Sequence, residues 1–318
     1  MTTKANCGNQ SRASGAMSVD VEEYYHASAL APAFPRSAWA SLESRVERTT
    51  LEILELFAKK NIKATFFTLG AVARAHPRLI RAIASAGHEL GSHGNEHFRV
   101  ADQNPGQFRE DVLSAKSSIE DASGAAVLGY RAASFSIDPT SWWAYDILAE
   151  TGHRYSSSVY PIHHDHYGLV GGPIAPFQPL PGDFVEIPIS TAQLGRLRLP
   201  AGGGGYFRLM PYGCFAWLHR RAGAQPPYRT NFYFHPWEID PGQPRGNTSA
   251  GSRLRHYVNL SRMKAKIETL TRDFQWDTMQ NIYADCLQRS AELLKWSPAS
   301  GLEPRGNGSD LVSGNPVG

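Results

Sequence analysis

Apolar residues along this chain alternate between short continuous runs and recurrences every three or four positions. The runs are typical of buried strands and the recurrences of amphipathic helices. The predicted strands cover 17–21, 64–69, 88–92, 127–131, 154–158, 185–188 and 231–234. The predicted helices cover 42–61, 77–86, a stretch that opens with the Asn104-Pro105 cap, and 138–152. This alternation predicts parallel β–α–β units, hence a barrel or a doubly wound sheet.

The positions of chemically capable residues favour the barrel. Asp20, His93, Arg131 and His235 each stand at or just after the end of a predicted strand. Catalytic groups of a (β/α) barrel come from the C-terminal ends of several strands, whereas an open sheet gathers its ligands near one switch point. About seven strands are predicted and no Gly-rich phosphate fingerprint occurs. We therefore expect an α/β fold, a distorted (β/α)7-type barrel in a single domain.

The barrel domain is expected to span residues 17–296. The polar segment 1–16 and the tail 297–318, which is rich in Gly, Ser, Pro and Asn, are predicted to be disordered. Two stretches break the alternation: 161–181 is dense in His, Gly and Pro, and 202–208 contains a run of glycines. Both predict long functional loops over the barrel mouth.

Composition excludes several classes of function. The chain has 318 residues and a net charge of +3, without a basic cluster interleaved with aromatics, so nucleic-acid binding has no support. Its three cysteines are widely spaced, which argues against a disulfide framework and a thiolate metal site and suits a reducing compartment. No apolar stretch approaches the roughly 18 residues of a membrane span, and residues 1–16 lack a signal-peptide core. A cytoplasmic location is the resulting expectation.

Two pairs of residues point to a metal site. His93 and His97 are four residues apart after a predicted strand, and on a helical turn such imidazoles share one face and can bind one metal ion. Strand alternation places Asp20 and Glu22 on one side, where two carboxylates repel unless a cation lies nearby. One carboxylate could complete the metal site and the other could act as general base on metal-bound water. A solvated acidic turn is the competing interpretation.

Several motifs occur in order and carry a family resemblance. They are Asp20-Val21-Glu22, Ser92-His93-Gly94-Asn95-Glu96-His97, Gly129-Tyr130-Arg131-Ala132-Ala133-Ser134-Phe135 and Phe234-His235-Pro236-Trp237-Glu238. Together they resemble the motifs of NodB-type polysaccharide deacetylases. Glu186-Ile187-Pro188, Gly203-Gly204-Gly205-Tyr206-Phe207-Arg208 and the extension through Ile239-Asp240-Pro241 resemble the exosortase-associated (PEP-CTERM system) branch. The resemblance covers about residues 17–294.

The resemblance implies a distorted barrel that hydrolyses N-acetyl groups on a sugar polymer with one divalent metal, zinc. The implied roles are general base for Asp20, positioning of Asp20 for Arg131, general acid for His235, metal ligands for Glu22, His93 and His97, and an oxyanion contact from the backbone near Ser134. Glu23 is an alternative to Glu22 as the carboxylate ligand. In this chain Ala133 stands where the family has Pro, and Ser156 stands where the branch more often has Asp.

The expected partner is an N-acetylated glycan, either an exopolysaccharide or its lipid-linked precursor. Tyr206 and Trp237 are predicted to line the carbohydrate groove, since aromatic rings suit the apolar faces of sugars. A second metal cluster of His163, His164 and His166 is possible, but loop histidines more often bind substrate or nothing. Two other functions stay open: hydrolysis of a small amide or cyclic ureide on the same fold, and glycan binding by a catalytically impaired protein.

Overall fold

The computed structural model describes residues 14–164 and 168–298. Its strands are β1 (Ser14–Val21), β2 (Thr65–Thr68), β3 (Glu89–Ser92), β4 (Gly129–Tyr130), β5 (Tyr155–Ser156), β6 (Phe177–Gln178), β7 (Val185–Glu186), β8 (Thr191–Leu194), β9 (Leu197–Pro200), β10 (Thr230–Phe234), β11 (Gln275–Asp277) and β12 (Leu294–Lys295). All seven predicted strands are confirmed, as β1 to β5, β7 and β10. Parts of the predicted disordered ends, 1–13 and 299–318, and His166 of the predicted loop lie outside the described residues.

The strands form a curled parallel sheet, which confirms the predicted barrel class. The order β10-β1-β2-β3-β4-β5-β7 is parallel throughout, with β6 antiparallel to β7 and β12 parallel to β6. Strand β11 pairs with the start of β1, and β8 and β9 form a separate hairpin. Because β1 already begins at Ser14, the ordered domain starts before residue 17, where the prediction had placed it.

Strand β10 and the chain just after β7, at the two ends of the parallel strand order, are joined by the side chain of Asn231. The Asn231 amide Nδ2 donates to the carbonyls of Ile187 at 3.4 Å and Pro188 at 3.2 Å. Backbone contacts between Asn231 and Ser190 add a hydrogen bond of 3.4 Å. A side-chain amide thus takes the place of regular ladder bonds here, and this irregularity makes the barrel a distorted one.

The helices lie around the sheet. They are α1 (Val46–Lys60), α2 (Gly70–Ala75), α3 (Pro77–Ser85), α4 (Pro105–Ser123), α5 (Ala144–Glu150), α6 (Gly204–Leu209), α7 (Tyr212–Gly223), α8 (Ala250–Tyr257), α9 (Leu260–Asp273), α10 (Met279–Ile282) and α11 (Ala284–Gln288). Among the described helices, none combines the length and the apolar character needed to span a bilayer.

Local signals explain where these helices begin and end. Helix α1 stops at Asn61, whose φ of 51° is left-handed, and Asn104 caps α4 through the backbone N–H of Gln107. The predicted helix start at 138–139 is wrong, because Asp138 Oδ1 accepts hydrogen bonds from the following turn and α5 begins only at Ala144. The glycine run at 202–208 is also not a loop throughout, since most of it forms α6.

Alternation along β1 separates the core from the site. Met17, Val19 and Val21 join the cluster that α1 fills with Ile53 and Phe57, so they face the helices. The residues between them point to the barrel interior, where polar groups are buried. The apolar side chains of β1 therefore face the surrounding helices, and its polar side chains face the barrel interior. The polar side chains lead towards the C-terminal end of the strand, where the pocket described below lies.

Candidate metal and hydrolytic site

The C-terminal ends of the parallel strands surround one pocket of about 390 Å³. Its lining includes these predicted site residues: Asp20, Glu22, His93, His97, Ser134, Tyr206, His235 and Trp237. Arg131 is the exception, and it lies directly behind Asp20. The structure thus brings together, from β1, β3, β4 and β10, groups that are far apart in sequence.

Arg131 holds one side of Asp20. Its Nη1 lies 2.7 Å from Asp20 Oδ1, and both side chains are buried. The same guanidinium donates to Ser18 Oγ at 2.7 Å and to Ser157 Oγ at 2.9 Å, and it stacks 4.2 Å from the ring centroid of Phe67. With these contacts Arg131 is fixed in place, and Asp20 Oδ2 is left to face the pocket.

Glu22 forms a compact cluster with the two histidines. Its Oε2 lies 2.7 Å from Nε2 of His97 and 3.6 Å from Nε2 of His93. One ligand atom from each of the three residues falls within 4.8 Å of the others. Glu22 Oε2 is buried and accepts no hydrogen bond from the described residues. An orphaned carboxylate oxygen facing two imidazoles fits a divalent cation, and zinc accepts this donor set.

The histidines do not lie on a helical turn, so that part of the prediction is wrong. After β3 the chain turns sharply: Gly94 has a φ of 80° and His97 a φ of 58°. A side chain at Gly94 would also meet Asp111 Oδ2 at 2.9 Å. This reversal, rather than helical periodicity, brings the two imidazoles together. His93 Nδ1 pairs with the Arg131 carbonyl at 2.9 Å, which directs its Nε2 towards Glu22.

Glu22 and Glu23, the two candidates for the carboxylate metal ligand, lie in different surroundings. The Glu23 carboxylate accepts from the backbone N–H groups of Arg45, at 3.0 Å and 3.1 Å, and Val46, at 3.2 Å. It therefore caps the start of α1 on the other side of the strand. Glu22 is the carboxylate that lies with the histidines.

Three residues that sequence analysis did not assign support His97 from outside. The His26 ring stacks on His97, with centroids 5.2 Å apart and planes 10° apart. Arg36 donates to the His97 carbonyl at 3.2 Å, and its guanidinium lies 4.2 Å from the ring of Trp39. All three come from the 24–41 segment between β1 and α1, which has little strand or helix periodicity to mark it.

His235 belongs to a buried chain of charges. Its Nδ1 lies 2.7 Å from Glu238 Oε1, and Glu238 Oε2 accepts from Arg208 Nε at 2.6 Å. Its Nε2 lies 3.7 Å from Glu22 and 3.9 Å from Asp20. Sequence analysis missed Glu238 and Arg208 as site residues, although Glu238 stands within the His235 motif.

These contacts shift two pKa values in opposite directions. Burial alone would raise the pKa of Glu22, but the charges of His97 and His235 and the closely placed imidazoles of His93 and His97 hold that pKa well below its usual value. Burial alone would lower the pKa of His235, but Glu22, Glu238 and Asp20 raise it to about 9. In the metal-free protein at neutral pH, His235 is therefore cationic beside an anionic Glu22.

Trp237 lines the pocket, but its two ring faces are covered by other side chains, so neither face is free to stack on a sugar. One face stacks on His235, at 4.9 Å between centroids, and the other on His256, at 4.3 Å. The side chain is buried and its Nε1 donates to Glu22 Oε1 at 3.1 Å. Tyr206 is half-buried and lines the pocket, so its predicted substrate contact stays a prediction.

The loop after β4 brings Ser134 to the pocket in a strained conformation. Ser134 has a φ of 55° and Phe135 a φ of 50°, which costs about 1–2 kcal/mol for each non-glycine residue. In place of the family's Pro, hydrogen bonds fix the loop: Ser136 Oγ to the Ala133 carbonyl at 2.7 Å, and the Ala132 N–H to Ser158 Oγ at 2.9 Å. Ser134 Oγ also contacts Ser28 Oγ at 3.1 Å across the pocket rim.

Ser156 supports this loop from below. Its Oγ lies 2.7 Å from Ser158 Oγ, the group that accepts the Ala132 N–H. Ser156 is fully buried. A small hydroxyl thus acts as a packing and hydrogen-bonding group where the resemblance would place a carboxylate.

Two family models match the chain, one after the other. Residues 35–155 match the family described as polysaccharide deacetylase, and residues 157–284 match a domain of unknown function, DUF3473. The two matches meet next to β5, within the continuous sheet, so both segments build the same barrel. His93, His97 and Arg131 lie in the first matched segment, whereas His235 and Trp237 lie in the second. The pocket is therefore made by both.

Comparison with individual proteins gives the same picture. A chitooligosaccharide deacetylase from Bradyrhizobium sp. (strain ANU 289) is 29% identical over 100 residues, which cover 31% of this chain and 43% of that relative. A Mycobacterium smegmatis protein classed with the polysaccharide deacetylases shares the fold, with a TM-score of 0.59, 18% identity, and coverage of 93% of this chain and 96% of that one. An allantoinase structure gives a TM-score of 0.55, 18% identity, and coverage of 89% and 92%.

Residues 35–155 therefore carry the polysaccharide deacetylase match, and the two solved structures show that the fold of the chain is shared. The matched region spans less than half of the curated relative's own length. Membership of the exosortase-associated branch stays a prediction.

Proposed function

We propose that this protein is a metal-dependent hydrolase that removes N-acetyl groups from an N-acetylated glycan, an exopolysaccharide or its precursor in the exosortase-associated branch. The observation that carries the proposal is the meeting of three units in one pocket: the Glu22, His93 and His97 cluster, the Asp20–Arg131 pair and His235 with its buried carboxylate. Amide hydrolysis needs an electrophile, a base and an acid, and each unit fits one of these needs.

Glu22, His93 and His97 are the residues that would hold the metal. A divalent cation bound there, which we propose to be zinc, supplies Lewis-acid polarisation of a carbonyl and acidifies water. The protein's own contribution is orientation. His93 is held by the Arg131 carbonyl, and Glu22 by the Trp237 indole N–H.

Asp20 is the proposed general base. Arg131 occupies its Oδ1, so its Oδ2 faces the pocket and can accept a proton from the attacking water. The resulting hydroxide adds to the acetyl carbonyl carbon. The backbone near Ser134, on the strained loop, is placed at the pocket to share the oxyanion charge that develops.

His235 is the proposed general acid. Its Nδ1 is engaged by Glu238, so the proton available for transfer is the one on Nε2, which faces Asp20 and Glu22. Transfer of that proton to the amide nitrogen accompanies cleavage of the C–N bond. The products are acetic acid and the free amine of the deacetylated sugar, and the acid ionises to acetate by giving its proton to the amine or to solvent. The proton taken by Asp20 later restores His235.

Acetate release from defined N-acetylglucosamine oligomers tests this proposal. Wild-type protein should release one acetate for each amine formed, and His235→Ala should lose turnover while retaining its metal. No release from any N-acetylated oligomer by metal-loaded protein would contradict the deacetylase assignment.

The fold shared with an allantoinase motivates a second candidate, hydrolysis of a small cyclic ureide. Competition separates the two, because a glycan deacetylase is inhibited by N-acetylated oligomers rather than by allantoin. Turnover of allantoin in preference to oligomers would favour the second candidate. Tight oligomer binding without acetate release would instead indicate an impaired glycan-binding protein.

A further inference from the structure

The indole N–H of Trp237 is directed at one of the two oxygens of Glu22. Nε1 lies 3.1 Å from Oε1, and both side chains are buried. The other oxygen, Oε2, is the one that faces the imidazoles. The two oxygens of one carboxylate therefore have different partners.

This division matters because the residue that follows β1 is a glutamate, whose side chain has one more rotatable bond than that of an aspartate. A longer side chain loses more rotamer freedom when it is fixed, so it needs an additional contact to hold one orientation. Among the described residues, Trp237 Nε1 is the hydrogen-bond donor recorded for Oε1. An indole N–H can only donate, so it suits a carboxylate and cannot compete for a cation.

Trp237 itself is held firmly. Its ring lies between His235 and His256, with interplanar angles of 17° on both sides. Gln243 Nε2 donates to the Trp237 carbonyl at 2.8 Å, and Gln243 Oε1 lies 2.8 Å from His256 Nε2. Because the Trp237 ring cannot easily move, its indole N–H can fix the orientation of the Glu22 carboxylate that accepts its hydrogen bond.

We propose that Trp237 is a positioning residue that fixes Glu22 through its indole N–H, so that Oε2 faces the two imidazoles where a metal would bind. This inference rests on the proposed function, since it assumes that Glu22 binds a metal. It replaces the expectation that Trp237 contacts sugar. It also assigns to the segment of unknown function a direct part in building the metal site.

The test compares Trp237→Phe with Trp276→Phe. Phenylalanine keeps a ring for stacking and removes the N–H. Trp276 is a matched control, because it is 8% exposed against 7% for Trp237 and donates its indole N–H to the Leu270 carbonyl at 3.2 Å. Each full-length protein is stripped with a chelator, and its Zn²⁺ affinity is measured by competition with a chromogenic chelator, together with the Tm of the metal-free form.

Trp237→Phe should weaken Zn²⁺ binding by about 10–100-fold, the usual effect of losing a group that orients a ligand. Trp276→Phe should bind as wild type, and the metal-free Tm of the two variants should be similar. In a Glu22→Gln background, Trp237→Phe should cause little further loss, because the two changes act on one contact. Unchanged affinity in Trp237→Phe, equal losses in both Trp variants, or a full additional loss in the Glu22→Gln background would each overturn the inference.

Failure of the proposed function itself gives a different pattern. If wild-type protein and His93→Ala both fail to bind Zn²⁺, the metal site is absent, and the inference falls together with the proposed function. If wild-type protein binds Zn²⁺, His93→Ala does not, and Trp237→Phe binds as wild type, the metal site stands and the role of Trp237 alone is refuted.

Discussion

Asp20 Oδ2 and His235 Nε2 face each other at 3.9 Å, because Asp20 lies in β1 and His235 directly follows β10, its hydrogen-bonded neighbour in the sheet. The distance is too long for a direct hydrogen bond. Each group is instead held by its own partner, Arg131 for Asp20 and Glu238 for His235. The arrangement keeps a base and an acid close together without neutralising either through a direct bond.

Replacing Asp20 should separate catalysis from metal binding. Asp20→Asn keeps the shape and a hydrogen-bond acceptor for Arg131 but removes the basic oxygen. We expect acetate release to fall by about a hundred- to ten-thousand-fold, as for loss of a general base. Metal content, measured by mass spectrometry, should stay at the wild-type level. Acetate release within a few-fold of wild type would show that Asp20 is not the base.

Removing Arg131 should cost stability more than any other single change in the site. Its guanidinium is fully buried against Asp20, so Arg131→Met leaves that carboxylate charged and uncompensated. The expected loss in the free energy of unfolding is about 3–5 kcal/mol, measured by urea denaturation. Arg131→Lys keeps the charge but loses the fork of hydrogen bonds, and it should lie between wild type and Arg131→Met. Equal stability of all three proteins would refute this.

The pH dependence of kcat should reveal how the charge of the Glu238 carboxylate affects the pKa of His235. His235 must carry a proton to act as an acid, so kcat should fall as the pH rises through its pKa. Although burial lowers this pKa, Glu22, Glu238 and Asp20 raise it to about 9 in the metal-free site. Glu238→Gln has nearly the same shape but no charge, so the alkaline limb of kcat should move to lower pH. An alkaline limb at the wild-type position would exclude Glu238 as the partner that sets the acidity.

A histidine far from the pocket should make the fold acid-sensitive. His219 is fully buried, with Nδ1 2.7 Å from the Ala201 carbonyl and Nε2 2.9 Å from Thr230 Oγ1. Burial lowers the pKa of His219 from 6.5 to about 4. Because the unfolded chain binds this proton more readily, stability is fully present above pH 6.5 and is lost as the pH falls towards 4.

Between pH 6.5 and pH 4, the titration of His219 should lower the free energy of unfolding by about 3 kcal/mol. Urea denaturation at a series of pH values measures it. His219→Gln should be less stable at neutral pH and should show a shallower decline between pH 6.5 and 4. The same decline in the variant as in wild type would show that other groups cause the acid sensitivity.

The sequence predicted the seven barrel strands well because each is a short apolar run with a clear beginning and end. It also predicted which residues meet in the pocket, since strand ends in a parallel barrel share one face. In contrast, the loop with Gly94 and His97 was predicted as helical. Its turn depends on a left-handed φ at His97 and on contacts with Asp111, which lies in α4. Spacing alone carries no such information.

Arg208 and Glu238, which act through His235, were not predicted from the sequence. Arg208 and Glu238 are thirty positions apart, and their link to His235 is visible only once α6 and β10 are adjacent. Trp237 was predicted to line the carbohydrate groove because aromatic rings suit the apolar faces of sugars, whereas packing against His235 and His256 covers both faces of its ring. Long-range packing decided both outcomes.

Metal analysis coupled to acetate release decides whether the protein hydrolyses N-acetyl groups with a metal bound to Glu22, His93 and His97. The protein is purified, assayed on N-acetylglucosamine oligomers, stripped with a chelator, assayed again, and reloaded with Zn²⁺. His153→Gln, a change at a buried histidine outside the pocket lining, serves as a control for His93→Gln and His97→Gln. We expect one metal ion per chain, loss of acetate release on stripping, recovery on reloading, and loss of metal in the two pocket variants only. Full acetate release by the metal-free protein would contradict this expectation.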